Sequence, residues 1–156
     1  MDKGQILLMR HAEKADDPLN PNLSPVGRDR SQSLAQYVPE KFGKPDFLFA
    51  SAASKHSVRP IQTLQPLSEK IGVQIDSTFA DQDYEALAHK ILNDPSYDRK
   101  LVVICWHHGN IPPLAHELKA KSGDYPNPWD PKVFNLMLQF DYAHGIPSVH
   151  CVIESF

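Results

Sequence analysis

In two places an apolar run ends abruptly in side chains able to do chemistry. Ile6-Leu7-Leu8-Met9 stops at Arg10-His11, and Leu101-Val102-Val103-Ile104-Cys105-Trp106 stops at His107-His108-Gly109. Between them the run Ser54-Lys55-His56-Ser57-Val58-Arg59-Pro60-Ile61-Gln62-Thr63 places Arg59 at the start of a helical pattern. Arginine is a permanent cation with a planar fork of donors that matches an oxyanion. Histidine is a nucleophile when neutral and a donor when charged, and its surroundings select the form. A helix start adds free backbone N–H groups and the positive end of the dipole, both favourable to anions. Two arginines and two histidines brought together would neutralise a phosphoryl group and attack it, with fixed cations stabilising the charge on its oxygens.

Such a meeting needs a scaffold that delivers these segments to one place. Short apolar runs suited to buried strands occur at 5–9, 47–50, 74–76, 101–106, 136–140 and 149–153. Helical spacing fills most of the intervals. Ser24-Pro25 is an N-cap followed by a first-turn proline, and it opens a helix with Val26, Leu34, Tyr37 and Val38 on one face. Ile61, Leu64, Leu67 and Ile71 form a second stripe, which Pro66 is expected to kink or divide. Tyr84, Leu87, Ala88 and Ile91 form a third, ended by Asn93-Asp94-Pro95. Ile111, Leu114, Ala115 and Leu118 form a fourth, with Asn110 as its N-cap. Strands alternating with helices predict a three-layer α/β/α sandwich over residues 1–156, as one domain with a mainly parallel sheet of about six strands. In such sheets ligands gather beyond the carboxyl ends of the strands, where His11, Arg59 and the late histidines fall. The longest irregular connection, 121–131, reads as a lid or as surface packing around Trp129, the second being expected.

Composition narrows the partners. The chain has 156 residues, 41% hydrophobic and 22% charged, with a formal net charge of -3, so no overall basic field points to nucleic acid. No segment has the length of a membrane span, and Met1-Asp2-Lys3-Gly4 leads straight into the first strand, so a cytoplasmic location is expected. Cys105 and Cys151 lie in apolar runs and read as core residues. His107, His108 and His116-Glu117 match no strong metal-ligand spacing, and His89, His144 and His150 read as surface or packing residues, so no metal is expected.

The segments RHAEK, LSPVGRDRS, SVRPIQT and HHGNIP, in order from about Gln5 to Leu118, resemble the histidine phosphatase superfamily, the phosphoglycerate mutase-like group. The resemblance implies the phosphoglycerate mutase-like fold and a phosphohistidine intermediate on His11. It implies that Arg10 and Arg59 bind the phosphoryl oxygens. His108, directly before Gly109, matches the second pocket histidine; His107 is the alternative, disfavoured because alternation would turn it to the other side of an extended chain. Ala12 stands where many members have glycine. The acid that protonates the leaving group falls among Asp81, Asp83 and Glu85, with Asp83 and Glu85 preferred. Arg30 shares a four-residue ladder with Val26, Leu34 and Val38, and a structural pair is expected for it before substrate contact. Glu13, Lys14, Asn20, Ser54, Lys55 and His56 could rim the pocket, though solvated loop positions are the expectation for most.

The resemblance therefore implies a metal-independent phosphatase, without cofactor. Its substrate would be a phosphorylated small molecule or a phosphoprotein side chain. Mutase-type transfer fits less well with so short a chain. A phosphate-binding module with little turnover, or a metal-dependent hydrolase using the late histidines, are the other classes left open.

Overall fold

The computed structural model describes all residues, Met1–Phe156. Six strands form one sheet in the order β3-β2-β4-β1-β5-β6, from β1 (Gly4–Arg10), β2 (Phe47–Ala50), β3 (Ile75–Asp76), β4 (Leu101–Trp106), β5 (Leu136–Ala143) and β6 (Ile146–Ile153). The neighbours β3-β2, β2-β4 and β4-β1 are parallel, while β1-β5 and β5-β6 are antiparallel. The α/β architecture and its mostly parallel sheet are thus as the sequence predicts, with an antiparallel hairpin added at one side. That hairpin turns at His144-Gly145, both with positive φ, the geometry of a two-residue turn matched to strand twist.

Alternation along the central strands sorts the core into two layers. Ile6 and Leu8 of β1 join Val102, Ile104 and Trp106 of β4 beneath α3 (Tyr84–Asn93) and α4 (Ile111–Glu117). Leu7 and Met9 join Val103 and Cys105 beneath α1 (Pro25–Phe42) and α2 (Arg59–Ile71). Both faces of these strands are covered, which is why they read as unbroken apolar runs.

Several local expectations need correction. The Ser24 side chain does cap α1 by accepting from Gly27 N, but the buried face runs through Gly27, Ser31, Leu34, Ala35 and Val38. Val26 is one position off that face and is 60% exposed. Gly27 lies on the buried face because the helix packs against the Glu13 main chain, where a Cβ would stand 2.2 Å from the Glu13 carbonyl oxygen. Pro66 does not divide α2, which is assigned without a break from Arg59 to Ile71. Cys105 is buried, but Cys151 is exposed on the edge strand β6, whose outer side no neighbouring strand covers. Trp129 is buried and donates to Val133 O at 3.1 Å, so it anchors the 121–131 connection, most of which stays exposed. No helix is long and apolar enough to cross a membrane.

Candidate active site

Beyond the carboxyl ends of β1, β2 and β4 lies a cavity of about 540 Å³, lined among others by Arg10, His11, Arg59, Asp81, His107 and His108. The apolar core supplies its floor, since His11 is 2% exposed and Arg10 3%. The two side chains leave β1 on opposite faces. His11 continues the Leu7-Met9 series, whereas Arg10 continues the Ile6-Leu8 series.

His11 is held in one tautomer. Its Nδ1 lies 2.7 Å from the Ala12 carbonyl oxygen, which only accepts, so Nδ1 carries the proton and Nε2 keeps a free lone pair. The Ala12 N–H donates to Thr63 Oγ1 at 2.9 Å, and the Thr63 hydroxyl donates to the Arg59 carbonyl at 2.8 Å. One hydroxyl therefore ties the turn after β1 to the first turn of α2. Burial lowers the His11 pKa to about 3; the Ala12 bond opposes it, and the charges of Arg10, His107 and Arg59 each add a smaller lowering effect. The ring is neutral at physiological pH.

The arginines are fixed by main-chain carbonyls. Arg10 Nη1 donates to Pro131 O at 2.7 Å and to Val133 O at 3.3 Å, and its guanidinium lies 3.8 Å over the Phe134 ring. Its Nε is buried without a partner. Orphaning such a donor costs about 1–3 kcal/mol, a cost that an anion in the cavity would relieve. Burial and then the proximity of Arg59 lower the Arg10 pKa to about 10, leaving it charged. Arg59 donates from Nε and Nη2 to the carbonyls of Asn22 and Asn20, and burial lowers its pKa as well. These main-chain acceptors had no mark in the sequence, nor did Phe134, because any residue type supplies a carbonyl.

Strand register sets which late histidine stands beside His11. Arg10 pairs with Trp106 across the β1–β4 ladder, and the His11 N–H donates to the Trp106 carbonyl at 3.1 Å. One step further, His107 stands beside His11 on the same face, and their rings meet edge to face at 5.3 Å. Alternation does turn His107 away from the Trp106 side, and the side it turns to is that of His11. His108 begins the short 3-10 turn His108–Asn110 and also lines the cavity. Burial lowers the pKa of both late histidines; for His107 the charge of Asp81 opposes it.

Of the three carboxylates considered, the cavity takes in Asp81 alone. Asp83 and Glu85, the preferred pair, are exposed and not among its walls. They follow Asp81 on the turn Asp81–Asp83 and the first turn of α3, where the backbone carries them outward. Asp81 Oδ2 accepts from Asn110 Nδ2 at 2.9 Å, and its Oδ1 is buried without a partner. The Asp81 carbonyl accepts from Trp106 Nε1 at 3.0 Å. Asn110 does not cap α4 with its side chain, contrary to expectation, because that side chain is turned to Asp81.

Arg30 is structural. It binds Glu13 through Nε at 2.8 Å and Glu154 through Nη1 at 2.9 Å, and it does not line the cavity. Lys14, Ser54 and His56 do line it, Lys55 does not, and Asn20 contributes through its carbonyl alone. No three His, Cys, Asp or Glu side chains cluster as a metal would require.

No family model matches the sequence, and no curated protein matches it. Solved structures do match in fold. A protein histidine phosphatase SixA complexed with tungstate superimposes with a TM-score of 0.69 at 14% identity, covering 96% of each chain. Phosphoserine phosphatase of Entamoeba histolytica, in complex with 3-phosphoglyceric acid, gives 0.66 at 15% identity over 98% of each chain. Phosphoglycerate mutase of Plasmodium falciparum gives 0.62 at 13% identity, over 100% of this chain and 91% of that one. The chain therefore has the phosphoglycerate mutase-like α/β fold of the histidine phosphatases.

Proposed function

We propose that the protein is a phosphatase that hydrolyses a phosphomonoester or a phosphorylated protein side chain through a phosphohistidine on His11. The observation that carries this reading is the neutral His11 ring, its Nδ1–H on the Ala12 carbonyl, with Nε2 free beside two buried arginines. Nε2 attacks phosphorus in line with the bond that breaks. Arg10, Arg59 and His107 hold the three non-bridging oxygens as their charge grows; fixed donors of this kind need no reorganisation at the moment of reaction. The phosphoryl dianion raises the proton affinity of His107, which favours its donor form. Asp81 protonates the leaving group, and water then hydrolyses the phosphohistidine. The solved structures of this fold include a protein histidine phosphatase and a phosphoserine phosphatase, which supports phosphoryl transfer to water and leaves both substrate classes to be tried.

Turnover of an aryl phosphate with and without chelator, beside His11→Ala, tests the reading. Alkaline quench after a labelled phosphoryl donor should retain label on the wild-type protein and none on His11→Ala. Turnover abolished by chelator, or undiminished in His11→Ala, would overturn it. Phosphate binding without any turnover would leave a binding module in its place.

A further inference from the structure

Glu13 directly follows the His11-Ala12 turn, and the start of α1 holds it through three contacts. The Glu13 carbonyl accepts from the Ser24 N–H at 2.9 Å and from the Ser24 hydroxyl at 3.2 Å. Gly27 lies so close that a Cβ there would stand 2.2 Å from the Glu13 carbonyl oxygen and 3.0 Å from its nitrogen. Arg30 grips the Glu13 side chain with two bonds, Nε to Oε1 at 2.8 Å and Nη2 to Oε2 at 3.0 Å. Its third nitrogen, Nη1, donates to Glu154 Oε1 at 2.9 Å. Ser24 caps α1, and Gly27 and Arg30 follow at three-residue spacing along the same side.

The residue in front of Glu13 is tied as well. The Ala12 N–H donates to Thr63 Oγ1, and Ala12 is fully buried. The Ala12 carbonyl, which receives the His11 Nδ1–H, lies between these two anchored points. A planar peptide between fixed neighbours does not turn unless one of them moves. We propose that Arg30, with Ser24 and Gly27, is a positioning residue for the nucleophile: by holding Glu13 it fixes the Ala12–Glu13 peptide, and with it the tautomer of His11. The inference rests on the phosphatase reading given above.

Neither Arg30 nor Glu13 lines the cavity, so both act through His11 and not on the substrate. With the Ala12 carbonyl turned away, the neutral ring is free to carry its proton on Nε2, and no lone pair then faces phosphorus. A guanidinium fork bonded to both carboxylate oxygens restrains Glu13 in angle as well as in distance, which an ammonium does not. Glu154 bonds the same guanidinium but not the turn, so it supplies a control that changes the ion-pair network and leaves the Glu13 contacts in place.

The experiment records nitrogen spectra of the histidine rings, with kcat and KM on an aryl phosphate. The proteins are wild type, Gly27→Ala, Arg30→Ala, Arg30→Lys, Glu13→Gln and Glu154→Gln. Wild type and Glu154→Gln should show His11 protonated at Nδ1 alone, whatever the second does to stability. Gly27→Ala forces the Glu13 main chain to move. It should bring in the Nε2–H form and lower kcat about ten- to a hundredfold, with KM little changed. Arg30→Ala should do the same in smaller measure, and Arg30→Lys should recover part of the loss. Where those variants fold poorly, Glu13→Gln gives the same reading, since it keeps the side-chain size and leaves Arg30 paired with Glu154. A His11 ring protonated at Nδ1 alone in both Gly27→Ala and Glu13→Gln would overturn the inference. So would a lowered kcat without a change of tautomer, or a ring in Glu154→Gln that changes as much as in Glu13→Gln. The spectra need no turnover, so they are read even where the phosphatase reading fails, and that reading is decided separately by the label on His11.

Discussion

On the proposed phosphoryl side of the cavity Arg10, His11 and Arg59 are each tied to main chain, whereas on the proposed leaving-group side the carboxylate is held by another side chain. Arg10 is fixed by the carbonyls of Pro131 and Val133, Arg59 by those of Asn20 and Asn22, and His11 by that of Ala12. Asp81 hangs on the Asn110 amide and keeps one oxygen bare. Main-chain anchors are set by the fold and change little with substitution. A side-chain anchor can be altered one residue at a time. Under the proposed reaction the first side would meet a phosphoryl group that is the same in every substrate, while the second would meet whatever leaves.

This contrast can be broken most severely at the proposed nucleophile. His11→Ala should lower kcat/KM by at least about 10⁴-fold on every ester, since the group proposed to form the covalent intermediate has no substitute. Arg59→Ala should cost about 10²–10³-fold, the usual loss for one fixed donor to a developing oxyanion. That factor should be the same for dinitrophenyl and phenyl phosphate, unlike the selective losses expected at Asp81. A strongly ester-dependent loss in Arg59→Ala would erase the distinction between the two sides.

Titration sharpens the comparison with smaller effects of opposite sign. The His11 pKa is lowered from 6.5 to about 3 chiefly by burial, so the folded protein stays neutral there while the unfolded chain takes up a proton. Wild type should therefore lose stability relative to His11→Asn as pH falls from 6.5 toward 3. Nitrogen spectra of the histidines should show the His11 ring unprotonated at Nε2 throughout the neutral range. Glu154 behaves the other way. Burial outweighs the attraction of Arg30 and raises its pKa from 4.5 to about 7. Its stabilising contribution is full below 4.5 and is lost as pH rises through 7, so Glu154→Gln should gain relative to wild type over that window. The gain, read by chemical unfolding, should be about 1–3 kcal/mol, and activity should change little because Glu154 does not line the cavity.

All six strands and four α-helices were legible, because central strands buried on both faces are written as apolar runs and each helix carries its own stripe. The antiparallel hairpin was legible as two runs but not as a pairing, since neither run states its neighbour. Arg30 was legible as a structural pair from its place on the α1 ladder, although Glu154, on the far side of the sequence, was not legible as its partner. Val26 was misplaced because the close approach of Gly27 to the Glu13 main chain shifts the buried face by one residue.

The sequence by itself determined that an arginine–histidine pair, a helix-opening arginine and a histidine pair stand just past strands of an α/β sheet. Residue type and local periodicity are sufficient for that. Tertiary structure alone decided which late histidine meets His11, because alternation defines two faces but only the β1–β4 register says which face the partner shares. It also decided which of three carboxylates the cavity takes in. Asp81, Asp83 and Glu85 carry the same chemistry within five residues of chain, and the turn that sends one inward and two outward is set by its bonds to Trp106 and Asn110.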